Sequence, residues 1–355
     1  MTIMWLNLSL VYLFSALSRL YATPNPGTIS HVRPYKLYTV FVIICLVAVA
    51  GFQNNIGDTY FYLHSFQITE FAWQEINYLG DFGFDLYQML LQKISKDPQI
   101  LIFTTALITN LLIVIVLYKY SRMFELAVYV YIASGMFTTS MNGIRQYLAA
   151  AIVFFATKYL LNGDFKKYAL MILLASTVHK SAFVLLPIYF VVRREAWTKV
   201  TFILLTLSIF IVLGFNTFSG MLFSALDQTQ YGHYSDFTEG GANKLRIVVT
   251  AIPVFLAFLG RKKLKMLWPQ SDYIVNMSMI SLFFIIIASQ NWIFARFNIY
   301  FGLYSLLLIS WIVKLFKENN QRFIYFGIIV CYFLYFYYEH VLSFGLRYES
   351  DYWKF

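Results

Sequence analysis

The chain has 355 residues, of which 60% are hydrophobic and only 12% are charged, and its mean hydropathy is +0.64. These values exclude an ordinary soluble domain and predict a polytopic membrane protein. The net charge of +10 does not indicate nucleic-acid binding, because the basic residues are scattered between apolar runs and form no continuous stripe.

Apolar runs long enough to cross a bilayer recur along the whole chain. Helices are the expected spanning element, because the strands of an outer-membrane barrel would alternate over about ten residues. We therefore expect a single integral membrane domain over residues 1–355, an all-α transmembrane bundle of about twelve spans. The spans are predicted near residues 3–20, 36–52, 99–118, 124–140, 143–161, 166–179, 181–192, 199–215, 245–260, 273–290, 293–315 and 322–339.

The first span is interpreted as a retained helix, because no basic segment precedes it and no A-x-A-like cleavage site follows. The basic segments between spans fall on one side of the predicted topology. By the positive-inside rule this side is cytoplasmic, which places both termini outside. The basic segments are "RLYATPNPGTISHVRPYK", "KYSR", "KYLLNGDFKK", "RREAWTK", "RKKLK" and "KLFKENNQR".

Two long outer loops are predicted, at residues 53–98 and 216–244. In the first loop, "FGFDLYQMLLQKI" has apolar residues at helical spacing and predicts interfacial helices on the outer leaflet. The 28 Tyr and seven Trp suit membrane-interface belts as well as sugar-stacking surfaces. The loops carry most of the outer acidic residues: Asp58, Glu70, Glu75, Asp81, Asp85 and Asp97 in the first, and Asp227, Asp236 and Glu239 in the second.

Four basic residues depart from this charge pattern in the same way. Each lies near the outer start of a predicted inward-running helix, where the helix dipole favours an anion and the positive-inside rule disfavours a cation. Converging helix starts with basic side chains would bind phosphate or pyrophosphate strongly, through amide donors and guanidinium groups. The four residues are Arg145, Lys180, Arg246 and Arg296.

The alternative is that these side chains extend to lipid headgroups. The neighbours of Arg145 argue against this, because Asn142, Gly143 and Gln146 flank it and small residues follow. Ala149, Ala150, Ala151 and Ala156 favour close packing inside a bundle. We expect Arg145 to point inward.

His179 is the best candidate base, since it lies beside Lys180 and Ser181 at the end of a predicted span. Asp58 is the competing candidate, and Glu70, Glu75, Asp81 and Asp85 are weaker ones. A structural histidine and solvated loop acids remain the alternatives. No zinc-type spacing involves His64, His233 or His340, and Cys45 and Cys331 are interpreted as small buried hydrophobic residues.

No phosphate loop, dinucleotide fingerprint or serine-hydrolase elbow occurs. Instead, "GIRQYLAAAIVFFATKYLLNGDFKKYALMILLASTVHKSAFVLLPIYF" resembles the central block of the EpsG family, which is related to the Wzy-type repeat-unit polymerases. "GDTYFYLHSF", "LRIVVTAIP" and "ARFNIYF" agree in order, so the resemblance covers roughly residues 35–316. In the family, a Glu-Pro-Gly-type start often precedes the second motif of the first outer loop. This chain has "DFGFD" in its place.

The resemblance implies a GT-C-like glycosyltransferase at the outer face of the bacterial cytoplasmic (inner) membrane. Such an enzyme joins undecaprenyl-pyrophosphate-linked oligosaccharide units during exopolysaccharide, capsule or O-antigen synthesis, and needs neither a nucleotide sugar nor a bound metal. The implied partners are the lipid-linked donor and acceptor, membrane lipid, a chain-length regulator and a flippase. By motif, Arg145 and Gln146 match the Arg-Gln pair, His179 the helix-end histidine, and Arg246 and Arg296 the later basic positions.

The mechanism we expect uses Arg145, Arg246 and Arg296, with Lys180, to stabilise the pyrophosphate leaving group, and His179 or Asp58 to deprotonate the acceptor. Two other functions remain open. A flippase could use the same outer cations, but it needs an inward-facing site and usually shows related halves, neither of which the sequence has. A membrane acyltransferase could use His179, but no second reactive cluster lies at the predicted inner face.

Overall fold

The computed structural model describes residues 1–74, 76–226 and 240–353. Within these residues the chain is almost wholly helical. The only strands described are β1 (Thr23–Pro24) and β2 (Val32–Arg33), which form an antiparallel ribbon with Thr23 opposite Arg33. The expected all-α class is therefore confirmed.

The helices form two compact units. Unit 1 consists of Met1–Tyr189 and Ile309–Phe355, and unit 2 of Phe190–Leu308. That the whole chain is a single membrane domain stays a prediction. The helices that begin in unit 1 are α1 (Thr2–Leu20), α2 (Lys36–Gly51), α3 (Thr59–Ile68), α4 (Phe82–Gln92), α5 (Gln99–Tyr120), α6 (Phe124–Ala133), α7 (Met136–Asn142), α8 (Ile144–Phe155), α9 (Thr157–Asn162), α10 (Phe165–Val178), α11 (Leu185–Val192) and α18 (Glu318–Phe336).

The core of unit 1 forms where α5, α8 and α10 meet. α8 packs on α5 and α10, and α5 also packs on α2. Ala149, Ala150 and Ala151 of α8 are fully buried, so the small residues that the sequence marks for close packing do lie in the bundle interior. α6 is buried at each of its ten residues.

α5 connects the two ends of unit 1. Its 22 residues extend about 33 Å. At its first residue, Gln99 donates from Nε2 to the carbonyl oxygen of Gly51 at 2.7 Å. At its last residue, the carbonyl oxygen of Tyr120 accepts a hydrogen bond from Trp311 Nε1 at 3.0 Å.

The C-terminal segment returns to the Gln99 end of unit 1. Asn54 donates its backbone amide to the carbonyl oxygen of Glu349 at 3.2 Å, and Asn55 Oδ1 accepts the Glu349 amide at 2.9 Å. Trp5 of α1 packs on Phe336 of α18. The two ends of the chain therefore lie at the end of unit 1 that the charge pattern predicts to be outside.

Unit 2 is organised around α16. α12 and α14 both pack on α16. The C-terminal part of α11, from Phe190, also belongs to this unit. Near the end of α16, the Phe294 ring packs on Phe215 and Phe218, and its centroid lies about 6 Å from each of theirs. The helices that begin in unit 2 are α12 (Lys199–Leu213), α13 (Phe215–Leu226), α14 (Leu245–Leu259), α15 (Arg261–Leu267), α16 (Ser271–Ala288) and α17 (Ala295–Ile312).

Among the described residues, six helical stretches are long and apolar enough to cross a membrane, and α12 with the start of α13, bent by 96°, would be a seventh. The protein is thus membrane-embedded, but twelve spans are not confirmed. Several predicted spans correspond to shorter helices: α10, for example, has 14 residues and a length of about 21 Å, below the 30 Å of a hydrocarbon core. The six are Thr2–Leu20, Gln99–Tyr120, Ile144–Asn162, Ser271–Ala288, Trp292–Leu315 and Glu318–Ser343.

Three details of the sequence prediction need correction. The span predicted at 124–140 is broken by Gly135, whose φ of +85° ends α6 and begins α7. The loop predicted at 216–244 begins as a helix, α13. Cys331 is exposed rather than buried, because its helix presents an apolar face outward. Glu75, Asp227, His233, Asp236 and Glu239 lie outside the described residues.

Candidate functional site

Each of the four basic residues that depart from the charge pattern lies in the first turn of a helical segment. Arg145 is the second residue of α8, and Lys180 begins a 3₁₀ turn that leads into α11. Arg246 and Arg296 are the second residues of α14 and α17. The first two belong to unit 1 and the last two to unit 2. That all four share one site stays a prediction.

Asp81 joins the two basic positions of unit 1. Its Oδ2 lies 3.3 Å from Arg145 Nη1, and its Oδ1 accepts the backbone N–H of Lys180 at 2.8 Å. The Asp81 side chain is only 9% exposed. One carboxylate from the 53–98 segment therefore fixes the start of α8 relative to the turn after α10. We call Asp58, Asp81, Asp85, Arg145, His179 and Lys180 the Arg145 cluster.

Two close backbone approaches hold the 53–98 segment in this position. A Cβ at Gly83, at the start of α4, would lie 2.2 Å from Thr177 Oγ1 in α10. A Cβ at Gly57, where φ is +58°, would lie 2.1 Å from Asn142 Oδ1 at the end of α7. Only glycine fits both positions without a shift of the neighbouring chain. The segment thus docks on both helices that precede the basic residues.

The Arg145 side chain keeps donors for a further ligand. It is 38% exposed, and its guanidinium carbon lies 5.9 Å from the ring centroid of Phe84. Nε is buried and has no hydrogen-bond partner among the described residues. The Lys180 ammonium likewise makes no ion pair with the described part of the chain. The exposed part of the guanidinium is open to an oxyanion.

Asp58 follows Gly57 and precedes α3. Its backbone N–H donates to Asn142 Oδ1 at 2.9 Å. Asn142 lies three residues before Arg145 in the chain, so this bond holds Asp58 near the start of α8. The Asp58 carboxylate does not cap α3, and it has no hydrogen bond or ion pair to the residues that the structure describes. It is half-buried and open to a proton donor.

His179 caps the turn that Lys180 begins. It is 8% exposed, and its Nδ1 accepts the Ser181 amide at 3.3 Å and lies 3.0 Å from Ser181 Oγ. When Nδ1 accepts the amide, the neutral ring carries its proton on Nε2 and donates there. For His179 to act as a base, Nδ1–H must instead donate to Ser181 Oγ, so that Nε2 has the lone pair.

Asp85 lies one helical turn beyond Asp81 in α4. Burial raises the pKa of the Asp85 carboxyl above its usual range, the positive charge of Arg145 opposes this rise, and the negative charge of Asp81 adds to it. The cluster therefore brings two acids, Asp81 and Asp85, close to one guanidinium.

The other candidate acids and histidines of the sequence have different surroundings. Glu70 is exposed, and Asp97 accepts the Gln99 amide at 2.9 Å at the start of α5. His64 stacks on Tyr60 at 5.9 Å. His340, which directly follows the last predicted span, is buried in a π-helical turn, with its Nε2 2.8 Å from Thr138 Oγ1.

In unit 2, the segments that carry Arg246 and Arg296 both adjoin the end of α16. The Ala242 amide donates to the carbonyl oxygen of Ala288 at 2.7 Å, four residues before Arg246. Arg296 lies 5.3 Å from the ring centroid of Trp292.

In unit 1, Gln146 is buried beside Arg145 in α8. Among the described residues, no group of three His, Cys, Asp or Glu could hold a metal ion.

Comparison with protein-family models matches residues 36–350 to the EpsG family. This match covers nearly the whole chain. The chain belongs to the EpsG family. Searches of curated proteins and of solved structures gave no significant match. EpsG is associated with Wzy-type polymerases, so this is a membrane protein of polysaccharide synthesis.

The sequence interpretation underestimated Asp81, which it ranked among the weaker bases. Its position in "DFGFD" contained a usable signal. The glycine two residues after it predicts a close backbone approach, and the structure shows that approach at Gly83 against Thr177. An acid next to such a docking point is in a position to pair with a cation of the neighbouring helix.

Proposed function

We propose that this EpsG family protein is a polymerase. It joins undecaprenyl-pyrophosphate-linked oligosaccharide repeat units at the outer face of the bacterial cytoplasmic membrane, for exopolysaccharide, capsule or O-antigen. The family match supports polysaccharide synthesis in the membrane. The geometry of the Arg145 cluster supports a step in which a pyrophosphate leaves.

The observation that carries this proposal is the state of Arg145. Asp81 holds the guanidinium through Nη1, while the buried Nε lacks a partner among the described residues. The Lys180 ammonium, on the turn that Asp81 also holds, has no described acid partner. A pyrophosphate at the exposed part of the Arg145 guanidinium, which Asp81 already orients, would bind at little cost in reorganisation, and preorganised charge of this kind lowers a barrier.

The proposed reaction is a displacement at the anomeric carbon of the donor. The acceptor hydroxyl loses its proton to a base, and its oxygen forms the new glycosidic bond. The bond from the anomeric carbon to the pyrophosphate oxygen breaks, and its electron pair stays on the pyrophosphate. Arg145 and Lys180 stabilise that charge, and the released undecaprenyl pyrophosphate is the second product.

Two groups are candidates for the base, Asp58 and His179. Asp58 is favoured, because its carboxylate has no described partner and needs no change of tautomer. His179 acts as base only when its Nδ1–H donates to Ser181 Oγ. If Asp58 is the base, Asp58→Asn removes activity, whereas His179→Gln, which keeps a cap for the turn, retains a measurable rate.

Gln146 remains a proposed pyrophosphate ligand on the motif match, and Arg246 and Arg296 remain so on that match and on their positions at helix starts. The GT-C-like arrangement of about twelve spans and the outward orientation of the site are proposals too. The described helices α3 and α4 are candidates for the interfacial helices of the first outer loop. The proposal needs no metal or cofactor, and it keeps a chain-length regulator and a flippase as partners on family grounds.

The test uses purified protein in lipid nanodiscs with lipid-linked repeat units and no nucleotide. A ladder of longer lipid-linked glycans supports the polymerase. Movement of the substrate across a vesicle membrane without bond formation would show a flippase instead, and acylated glycan without elongation would show an acyltransferase. Either of these outcomes would overturn the proposal.

A further inference from the structure

A second charged cluster lies at the end of unit 1 opposite the Arg145 cluster. Glu125, in the first turn of α6, forms an ion pair with Arg19 in the last turn of α1. Arg122 lies in the turn before α6, and Lys314 in the 3₁₀ turn that follows α17. We call Arg19, Arg122, Glu125 and Lys314 the Glu125 cluster.

The cations of this cluster are held close together. Arg122 donates its backbone amide to Ser310 Oγ at 3.2 Å, which brings the turn against the end of α17. Lys314 lies within electrostatic range of both Arg19 and Arg122. Three like charges from separate parts of the chain therefore converge at one point.

The acids do not balance these cations. The Glu125 side chain is 2% exposed and pairs with Arg19. Arg122 donates from Nη1 to the carbonyl oxygen of Ser30, and Lys314 from Nζ to Gln321 Oε1, so both bind neutral oxygens. A further acid within range of Lys314 is Glu318, which is exposed to solvent. The cluster keeps a positive excess.

Arg122 is half-buried and within electrostatic range of Arg19. Burial lowers the pKa of the Arg122 guanidinium, and the charge of Arg19 lowers it further. Half-buried cations at close range repel one another unless an anion lies between them. The positive-inside rule explains basic residues at this end of the bundle. It does not explain why they are drawn together and partly buried.

The surface beside the cluster suits a lipid. Phe323 and Phe326 lie one turn apart on an exposed face of α18 and are 79% and 59% exposed, and the same helix carries Tyr325, whose hydroxyl lies within electrostatic range of Glu125 and Arg19. Basic pockets between membrane helices on the cytoplasmic side bind anionic headgroups. Apolar side chains next to such a pocket can pack on acyl chains.

We propose that the Glu125 cluster binds the phosphate group of an anionic phospholipid, through Arg19, Arg122 and Lys314, with its acyl chains against Phe323 and Phe326. The site differs from the Arg145 cluster in position and ligand, and it does not depend on the polymerase activity. A free phosphate ion shares the headgroup chemistry but makes no use of the apolar surface.

The test is phosphatidylglycerol binding to the purified full-length protein, measured by native mass spectrometry from detergent. The double variant Arg122→Gln with Lys314→Gln is compared with Lys317→Gln with Arg322→Gln, which changes the charge equally at exposed positions of the same end. We expect roughly 30-fold weaker binding in the first variant, at about fivefold per cation near an anionic surface. The control should bind as the wild type does.

Equal losses in the two double variants, or no loss in either, would overturn the proposal. Phosphatidylcholine that binds as tightly as phosphatidylglycerol would overturn the anionic requirement. In a separate arm, inorganic phosphate is titrated at constant ionic strength. If it raises the unfolding temperature only when Arg122 and Lys314 are present, while phosphatidylglycerol does not bind, the site takes free phosphate and the lipid assignment is wrong.

If the double variant does not fold, Lys314→Gln alone is used. Lys314 is half-buried in the 3₁₀ turn after α17, but its side chain bonds to Gln321 alone among the described residues, so replacement by Gln should leave the fold intact. We expect about fivefold weaker phosphatidylglycerol binding from this single change. Unchanged binding in a folded Lys314→Gln protein would contradict the proposal.

Discussion

Each end of unit 1 has a nearly buried carboxylate beside an arginine, but the two acids come from different kinds of segment. Asp81 precedes the short helix α4 in a long connection, and it contacts Arg145 and the Lys180 amide. Glu125 lies in α6, a helix that is buried at every residue, and it contacts Arg19.

The donors left over at each end differ as well. At the Asp81 end, Asp81 and Asp85 lie close to the Arg145 guanidinium, and Arg145 Nε has no described partner. At the Glu125 end, the cations exceed the nearby acids, and two of them bind neutral oxygens. The Asp81–Arg145 pair therefore orients a guanidinium that keeps a donor without a described partner. The Glu125–Arg19 pair instead leaves an excess of positive charge beside it. The basic groups that have no acidic partner at each end decide which ligand that end suits.

The largest expected effect is that of Arg145→Ala. Removal of a preorganised charge donor lowers a rate by roughly 10²–10³, so the glycan ladder in nanodiscs should shorten to one or two additions. The matched control is Arg322→Ala, an exposed arginine at the Glu125 end. A normal ladder from well-expressed Arg145→Ala protein would contradict the role of the cluster.

Asp81→Asn should have the next largest effect. The amide can still accept the Lys180 N–H, but it loses the charge that orients Arg145. Since a misplacement of about 1 Å can cost as much as 10²-fold, we expect a rate loss of about 10- to 100-fold, with a larger change in kcat than in KM. Asp97→Asn, in the same segment, serves as the control.

The double variant Asp81→Asn with Arg145→Gln sharpens this prediction. If Asp81 acts through Arg145, the second change adds little to the first, because the two effects belong to one interaction. Fully additive losses would show that Asp81 has a separate role.

Gly83→Ala tests the docking of α4 on α10. The new Cβ would lie 2.2 Å from Thr177 Oγ1, so α4 must shift. Overpacking of this kind costs roughly 1–3 kcal/mol, and we expect a lower unfolding temperature together with partial loss of polymerisation. Gly327→Ala, inside α18 where a Cβ meets nothing within 4 Å, should lower neither, because Ala is favoured over Gly in a helix interior. Equal behaviour of the two variants would remove the docking argument.

The smallest effect is expected from Asp85→Asn, and it depends on pH. Folded Asp85 keeps its proton above the pH at which the unfolded residue loses it, because its pKa is raised. The free energy of unfolding therefore falls as pH rises from about 4 through the raised pKa. Asp85→Asn should remove this slope and match the wild type only at low pH. Thermal unfolding across this range measures the difference, and identical slopes would contradict it.

Sequence reasoning recovered the helical class and the position of each basic residue at a helix start, because hydrophobic runs and charge placement are local signals. The burial of Ala149 to Ala151 followed from their size. The number of spans did not follow, because a run of apolar residues does not reveal a break such as Gly135 or the short length of α10.

The pairing of Asp81 with Arg145 also could not be derived from the sequence. The two residues are 64 positions apart, and their contact depends on how the 53–98 segment docks on α7 and α10. The role of His179 as a cap depends on the 3₁₀ turn, which has no apolar period to mark it. Tertiary contacts of this kind follow from packing, not from local pattern.

The most direct test of the central claim is the binding of undecaprenyl pyrophosphate to the purified protein, with Arg145→Gln compared with Arg322→Gln. We expect the wild type and Arg322→Gln to bind equally well, and Arg145→Gln to bind at least tenfold more weakly, since a charge-assisted hydrogen bond contributes about 1.5–3 kcal/mol. Equal affinity in all three proteins would mean that the Arg145 cluster does not hold the pyrophosphate.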